Sequence, residues 1–399
     1  MDLLENSIQP YAWGSRTALA ALRGAPVPSP GPEAELWMGA HPQAPSHVVR
    51  DGRRVPLAEV VARAPQAELG AASLAAHGPQ LPFLLKVLAA EEPLSLQAHP
   101  DPRQAREGFE REEAGGLPRN APDRNYRDPW PKPELLCALE PFDALCGFRP
   151  AAESRALLEA LGARALEPVR ERLAGRSPPD ALRDAFTWLA TLPAPARRPL
   201  VEDVVAAAAR AGARSGPFAD AFALVPKLAA LYPADSGVAT ALLLRLVHLA
   251  PGEALYLPAG NMHAYLHGVG VEIMASSDNV LRGGLTAKHV DVPELLRVLR
   301  FAEDELPLVR PRPGWPGEEV YATEASHFEL SRIELAGAPF RGSVAGPEIL
   351  LCTSGEVTAS DAGERHALRK GQSLFVPART GGYELGGAGV VFRAAVPRG

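Results

Sequence analysis

The stretch "PGEALYLPAGNMHAYLH" (251–267) and the stretch "KGQSLFVPARTGGY" (370–383) share one template: Gly, two residues, Leu, an aromatic, an aliphatic, then Pro-Ala. Each reads as a turn glycine, a short strand and a proline that ends the strand. A chain that carries this unit twice is constrained towards two related β-structures. Only the first copy keeps a metal-capable side chain, His263, five residues beyond Pro258; the second has Gly382 and Tyr383 at the matching place.

The texture of the remaining chain agrees with that reading. Residues 1–150 are dense in Pro, Gly and short apolar runs such as "LPFLLKVL" and "LSLQAHP", which read as short strands joined by turns. From Ala151 the periodicity switches. "AAESRALLEALGARALEPVRERLAG", "PPDALRDAFTWLATL" and "PLVEDVVAAAARAG" carry apolar residues at i, i+3, i+4 and i+7, with Pro or Gly at the breaks. Strand texture returns near Ala241 and persists to Gly284, before one helix, "DVPELLRVLRF", with Pro293 close to its start. After the Pro-rich linker "DELPLVRPRPGWPGEE", residues 319–399 read as all-β, with alternation in "HFELSRIEL". The repeated Gly-strand-Pro unit resembles the later half-motif of cupins, whose scaffold is a jelly-roll barrel. The expected fold is therefore mainly β: two cupin-type jelly-roll barrels with an inserted α-helical domain. Residues 1–150 plus 233–300 would form a metal-binding barrel, 151–232 the helical domain, and 301–399 a second barrel without a metal.

Composition excludes some partners. Net charge is -6, the pI is near 6.0, and there is no long Lys/Arg run, which argues against nucleic acid or an anionic membrane surface. A small anionic substrate stays compatible, because a few local cations barely register in a global count. Cys137, Cys146 and Cys352 form no C-x-x-C pair and read as reduced thiols. The N-terminus lacks the basic and apolar regions of a secretory signal, and "VATALLLRLVHLA" is interrupted by Arg245 and His248. The expectation is a soluble, cytoplasmic protein.

Most of the ten histidines sit in settings that do not call for a metal. His41, His47, His77, His327 and His366 lie among turns and polar residues and read as surface. His248 and His289 have no partner at a useful spacing, and His267, four residues after His263, would lie about 13 Å along a strand. "LSLQAHPD" is different: in a strand, Gln97 and His99 leave the same face. His263 from a facing strand and Glu134 of "PKPELL" would complete a set that suits Zn²⁺, with Fe²⁺ and Mn²⁺ also open. Gln97 on its own reads as a hydrogen-bonding side chain.

Together, "QPYAWGSRTAL", "ELWMGAHP", "LPFLLKVL", "LSLQAHPD", "YRDPWPKPELLCAL" and "YLPAGNMHAYLHGVGVEIMASSDNVLRGGLTAKHVDVPELL" resemble the type I mannose-6-phosphate isomerases (phosphomannose isomerases). The resemblance covers most of residues 1–300, and "SDNVLRGGLTAKHVDV" is its most specific part; Gly283, Ala287 and His289 depart mildly from the family pattern. It implies one Zn²⁺ per chain held by Gln97, His99, Glu134 and His263, and a catalytic arginine at Arg282. It implies sugar-phosphate pocket roles for Trp13, Lys86, Ser95, Lys132, Tyr265, Glu272, Asp278 and Lys288. The implied reaction interconverts mannose 6-phosphate and fructose 6-phosphate through a cis-enediol, in a monomer.

In that chemistry Arg282 would stabilise the developing enediolate, Lys288 or Lys132 would hold phosphate, and Glu272 is a candidate base. A zinc-bound water or a free histidine competes for the base's role. Each residue also has a plainer reading. Lys86 could solvate an edge strand, Asp278 and Asn279 could form a turn, Glu272 could pair with an arginine, and Trp13 and Tyr265 could be core aromatics. A sugar-sensing module would fit the barrels but lacks a helix-turn-helix. A cupin dioxygenase would show His-x-His where this chain has Gln97-x-His99. A guanylyltransferase fusion would need a Gly-rich nucleotide loop.

Overall fold

The structure is a computed structural model that describes residues 1–175, 177–212 and 216–397. Strands that are apolar on both faces have to be covered on both sides. Phe83–Ala90 and Glu134–Ala138 are buried at every position, and they flank the long strand His263–Ala275 in an antiparallel sheet. The sheet runs Leu308–Val309, Ala254–Leu257, Glu134–Ala138, His263–Ala275, Phe83–Ala90, Glu35–Met38, Ser7–Gln9. The first residues of His263–Ala275 pair elsewhere, with Phe142–Phe148 and Leu96–Ala98, so one strand serves both faces of a barrel. The change of face falls at a register shift between Tyr265 and His267, followed by Gly268 at φ 127°. A Cβ at Gly268 would lie 2.6 Å from the Pro141 carbonyl oxygen, so the position requires glycine.

A second antiparallel sheet places Gly382–Ala395 between Glu348–Ser360 and Glu329–Ala336. The two copies of the repeated template occupy equivalent places. Each forms a four-residue strand, Ala254–Leu257 or Ser373–Val376, ended by proline and followed by the long central strand of its sheet. The first such strand opens with His263. The second opens with Gly382 and Tyr383, and its barrel interior is filled by Arg393, which is only 2% exposed. Arg393 donates to Glu348 and, at 3.2 Å, to Glu318; Tyr383 donates to Glu348 at 2.9 Å and Ser331 to Glu318 at 2.7 Å. The chain's first strand, Asp2–Leu3, joins this second sheet by pairing with Ser373–Val376.

Helices Ala151–Leu161, Glu167–Arg172, Pro178–Ala190, Ala194–Gly212 and Ala219–Leu231 occupy the stretch read as helical. Their apolar faces, including Leu157, Phe186 and Val204, share one core with Met262 and Leu281 of the first barrel. Phe148 stacks on Phe301 at 5.0 Å and meets Phe186 edge-on at 6.0 Å, which ties the helices to a barrel strand. Residues 1–150 also hold four helices, Ala18–Leu22, Leu57–Arg63, Pro65–His77 and Pro102–Ala114, where strands and turns were expected. Pro65 and Pro102 stand in first helical turns, and Asp101 forms a capping box with Gln104, so these prolines start helices rather than turns. Among the described residues, no helix is long and apolar enough to cross a membrane.

Candidate metal centre

Three strands bring three ligand-capable side chains to one point inside the first barrel. His99 follows Leu96–Ala98, Glu134 opens Glu134–Ala138, and His263 opens His263–Ala275. His99 Nε2 lies 3.4 Å from Glu134 Oε1, and His263 Nε2 lies 3.3 Å from Glu134 Oε2. Their ligand atoms all lie within 4.8 Å of one another. The outer ring nitrogens are anchored: His99 Nδ1 is 2.8 Å from the Asn279 carbonyl and His263 Nδ1 is 3.1 Å from the Asn261 carbonyl. Each Nδ1 therefore carries the hydrogen, and each Nε2 presents a lone pair inward.

Buried polar atoms normally find hydrogen-bond partners. His99 Nε2, Glu134 Oε2 and His263 Nε2 have none. Burial, with the nearby Lys132 charge, pushes the His99 imidazole down to about 4. Burial alone would raise the Glu134 carboxyl, but Lys132 and the two histidines outweigh it and hold it well below the ordinary value. Neutral imidazoles and an ionised carboxylate are the states in which these groups bind a divalent cation, so the donor set fits Zn²⁺. Gln97 pairs directly with His263 across adjacent strands, which turns both side chains to the same face.

Beside this cluster, Lys86 is buried between Glu35 at 3.4 Å and Glu272 at 3.2 Å. Burial alone would lower the Lys86 amine, but Glu35, Glu272 and Glu134 raise it above the ordinary lysine range. Glu272 is pushed up, chiefly by burial, and accepts a 2.9 Å hydrogen bond from Tyr265. The Trp37 indole donates to Glu35 at 2.7 Å, fixing the far end of the chain.

Of the residues singled out from the sequence, all but His99 and His263 line one cavity of about 570 Å³. Trp13, Lys86, Ser95, Gln97, Lys132, Glu134, Tyr265, Glu272, Asp278, Arg282 and Lys288 all border it, and His99 and His263 meet it through Glu134. Glu272 pairs with a lysine and a tyrosine, not with an arginine. Among the described residues, Arg282 and Lys288 have no carboxylate partner. Burial, with Arg127 beside it, lowers Arg282; burial, with Arg282 and Arg127, lowers Lys288. Arg282 and Lys288, without a carboxylate partner and crowded by Arg127, make a subsite for an anion.

Several residues in or beside the cavity were not picked out in the sequence. Arg127 belongs to the cationic group just described. Glu35 and Trp37 alternate along one strand, and Trp37 pairs with Lys86; a lysine inside the apolar run "FLLKVL" needs a buried anion, and that was the available signal. Asn279 is fully buried. Its Oδ1 accepts from the Arg127 backbone at 2.7 Å, and its amide donates to the Asp128 and Trp130 carbonyls at 2.7 and 2.8 Å. His41, expected on the surface, is 3% exposed and lines the cavity beside Asp278. It sits in a turn, and nothing in its local sequence announces the long-range contact that covers it.

A family model described as phosphomannose isomerase type I, catalytic domain, matches residues 1–151. The chain is 37% identical to mannose-6-phosphate isomerase of Escherichia coli (strain K12) over 395 residues, 98% of this chain and 99% of that protein. It is 32% identical to mannose-6-phosphate isomerase of Homo sapiens over 407 residues, 94% of this chain and 93% of that one. A crystal structure of mannose 6-phosphate isomerase from Salmonella typhimurium, bound to its substrate and a zinc atom, matches with TM-score 0.91 at 36% identity, covering 100% of both chains.

Proposed function

The chain belongs to the type I phosphomannose isomerase family, and from that premise we propose how its own residues interconvert mannose 6-phosphate and fructose 6-phosphate. Isomerisation removes the proton on C2 of the open-chain aldose and delivers a proton to C1, while the oxygens on those carbons exchange carbonyl and hydroxyl character. A C–H beside a carbonyl is too weak an acid for a neutral-pH base unless the forming oxyanion is stabilised. Zn²⁺, held by Gln97, His99, Glu134 and His263, supplies Lewis acidity to that oxygen when bound.

The protein's own side chains do the rest. Arg282 places a charge near the enediolate that it cannot lose by deprotonation. Glu272 is the proton carrier: its raised carboxyl brings proton uptake and release closer to neutral pH, and Tyr265 and Lys86 hold it in place. Lys288, with Arg127, takes the phosphate and keeps C1 and C2 in register. Trp13, Ser95, Lys132 and Asp278 bind the sugar from the other walls.

The observation that carries this reading is the convergence of three buried, unpartnered ligand atoms on a cavity with an anion subsite. The test couples fructose 6-phosphate formation from mannose 6-phosphate to a reporter enzyme, with Glu272→Gln beside the wild type. A fall in kcat of about 10²-fold or more supports a proton-transfer role, and an unchanged kcat removes Glu272 from the mechanism.

A further inference from the structure

His41 lies in the turn after Glu35–Met38, far from Asp278 in sequence, yet its Nε2 is 3.3 Å from Asp278 Oδ1. Its other nitrogen, Nδ1, faces the Gln43 backbone N–H at 3.4 Å. An N–H facing Nδ1 makes that nitrogen the acceptor, so the ring hydrogen sits on Nε2 and points to the carboxylate. The Gln43 side-chain amide donates to the second oxygen, Asp278 Oδ2, at 2.9 Å. Trp37 meets the His41 ring edge-on at 4.9 Å, so the ring is fixed from behind. Both carboxylate oxygens are thus held from one side, while the group stays 31% exposed on the cavity side.

Burial alone would raise the Asp278 carboxyl, but the His41 contact, with Lys132 and Arg127, leaves it below its ordinary value. An ionised carboxylate with one lone pair per oxygen tied back keeps its remaining lone pairs for donors in the cavity. Vicinal sugar hydroxyls are such donors.

We propose that His41, assisted by Gln43, is a positioning residue that aims the Asp278 carboxylate at hydroxyls of the bound hexose phosphate. The inference rests on the isomerase reading above. A merely structural histidine would affect catalysis independently of Asp278; a positioning one acts only through it.

The test is a double-mutant cycle on the zinc-loaded full-length enzyme, with mannose 6-phosphate as substrate. His41→Phe keeps the ring but loses the Nε2 donor, and should lower kcat/KM about tenfold or more, the loss expected for a hydrogen bond to a charged group. His41→Gln, which keeps a donor, should recover part of that loss. In an Asp278→Asn background, His41→Phe should cost no more than about twofold further. Gln43→Ala, at an exposed position, gives the same comparison should His41→Phe fail to fold. Losses that multiply fully in the double variants, or single variants with unchanged kcat/KM, overturn the proposal. A wild type inactive on mannose 6-phosphate would instead overturn the isomerase reading, and this inference with it.

Discussion

Gln97 stands directly across from both His263 and Arg282, because its short strand pairs with the strands that carry them. This register puts the Gln97 amide on the same face as the candidate metal-ligating imidazole and a guanidinium. Replacing Gln97 with Leu should weaken zinc binding by about tenfold or more while leaving the fold intact. Competition against a chromophoric chelator measures this, and an unchanged zinc affinity would remove Gln97 from the ligand set.

The clustered cations separate into two roles. Arg282→Ala should act mainly on kcat, by about 10²-fold, because its charge is needed most when the enediolate forms. Lys288→Ala and Arg127→Ala should act mainly on KM for mannose 6-phosphate, and less on the inhibition constant of unphosphorylated mannose. Equal effects on phosphorylated and free sugar would count against the phosphate subsite.

Arg393 holds together the interior of the second barrel. Arg393→Met would leave Glu318 and Glu348 buried without the guanidinium charge, and breaking such a buried pair costs about 3–5 kcal/mol. Differential scanning calorimetry should show Tm lowered by about 5 °C or more, with KM unchanged in the folded fraction. An unaltered Tm would mean that those carboxylates do not depend on Arg393.

The His77 and His327 rings lie 5.0 Å apart, tilted by 39°, where the helix Pro65–His77 meets the segment entering Glu329–Ala336. Burial, aided by His77, pushes His327 down to about 4, and burial lowers His77 as well. The unfolded chain, with histidines near 6.5, then binds more protons than the folded one at mildly acidic pH. Stability from this pair is complete above about pH 6.5 and declines as pH falls towards 4. Urea midpoints measured between pH 7.5 and 5 should fall less steeply for His327→Phe than for the wild type; identical slopes would contradict the assignment.

Much of this architecture is legible in local patterns. The doubled Gly-strand-Pro unit marks the strand that precedes each long central strand, and the i, i+3, i+4 spacing marks the helical stretch. What escaped is non-local or masked by composition. His41 looks like a turn residue until a distant loop brings Asp278 against it. Glu35 gains meaning only beside Lys86. The helix Pro102–Ala114 is announced by its capping box, yet abundant proline made a turn the natural reading. The bend at Gly268 depends on Pro141 packing against the backbone, which no sequence window contains.

The central claim is that His99, Glu134, His263 and Gln97 hold one zinc ion that the isomerase reaction requires. The most direct measurement follows zinc content and fructose 6-phosphate formation together, through chelation and stepwise return of Zn²⁺. Activity should disappear as zinc is stripped and return in proportion to zinc, reaching its maximum at about one ion per chain. Full activity in a preparation with no bound divalent metal would contradict the account.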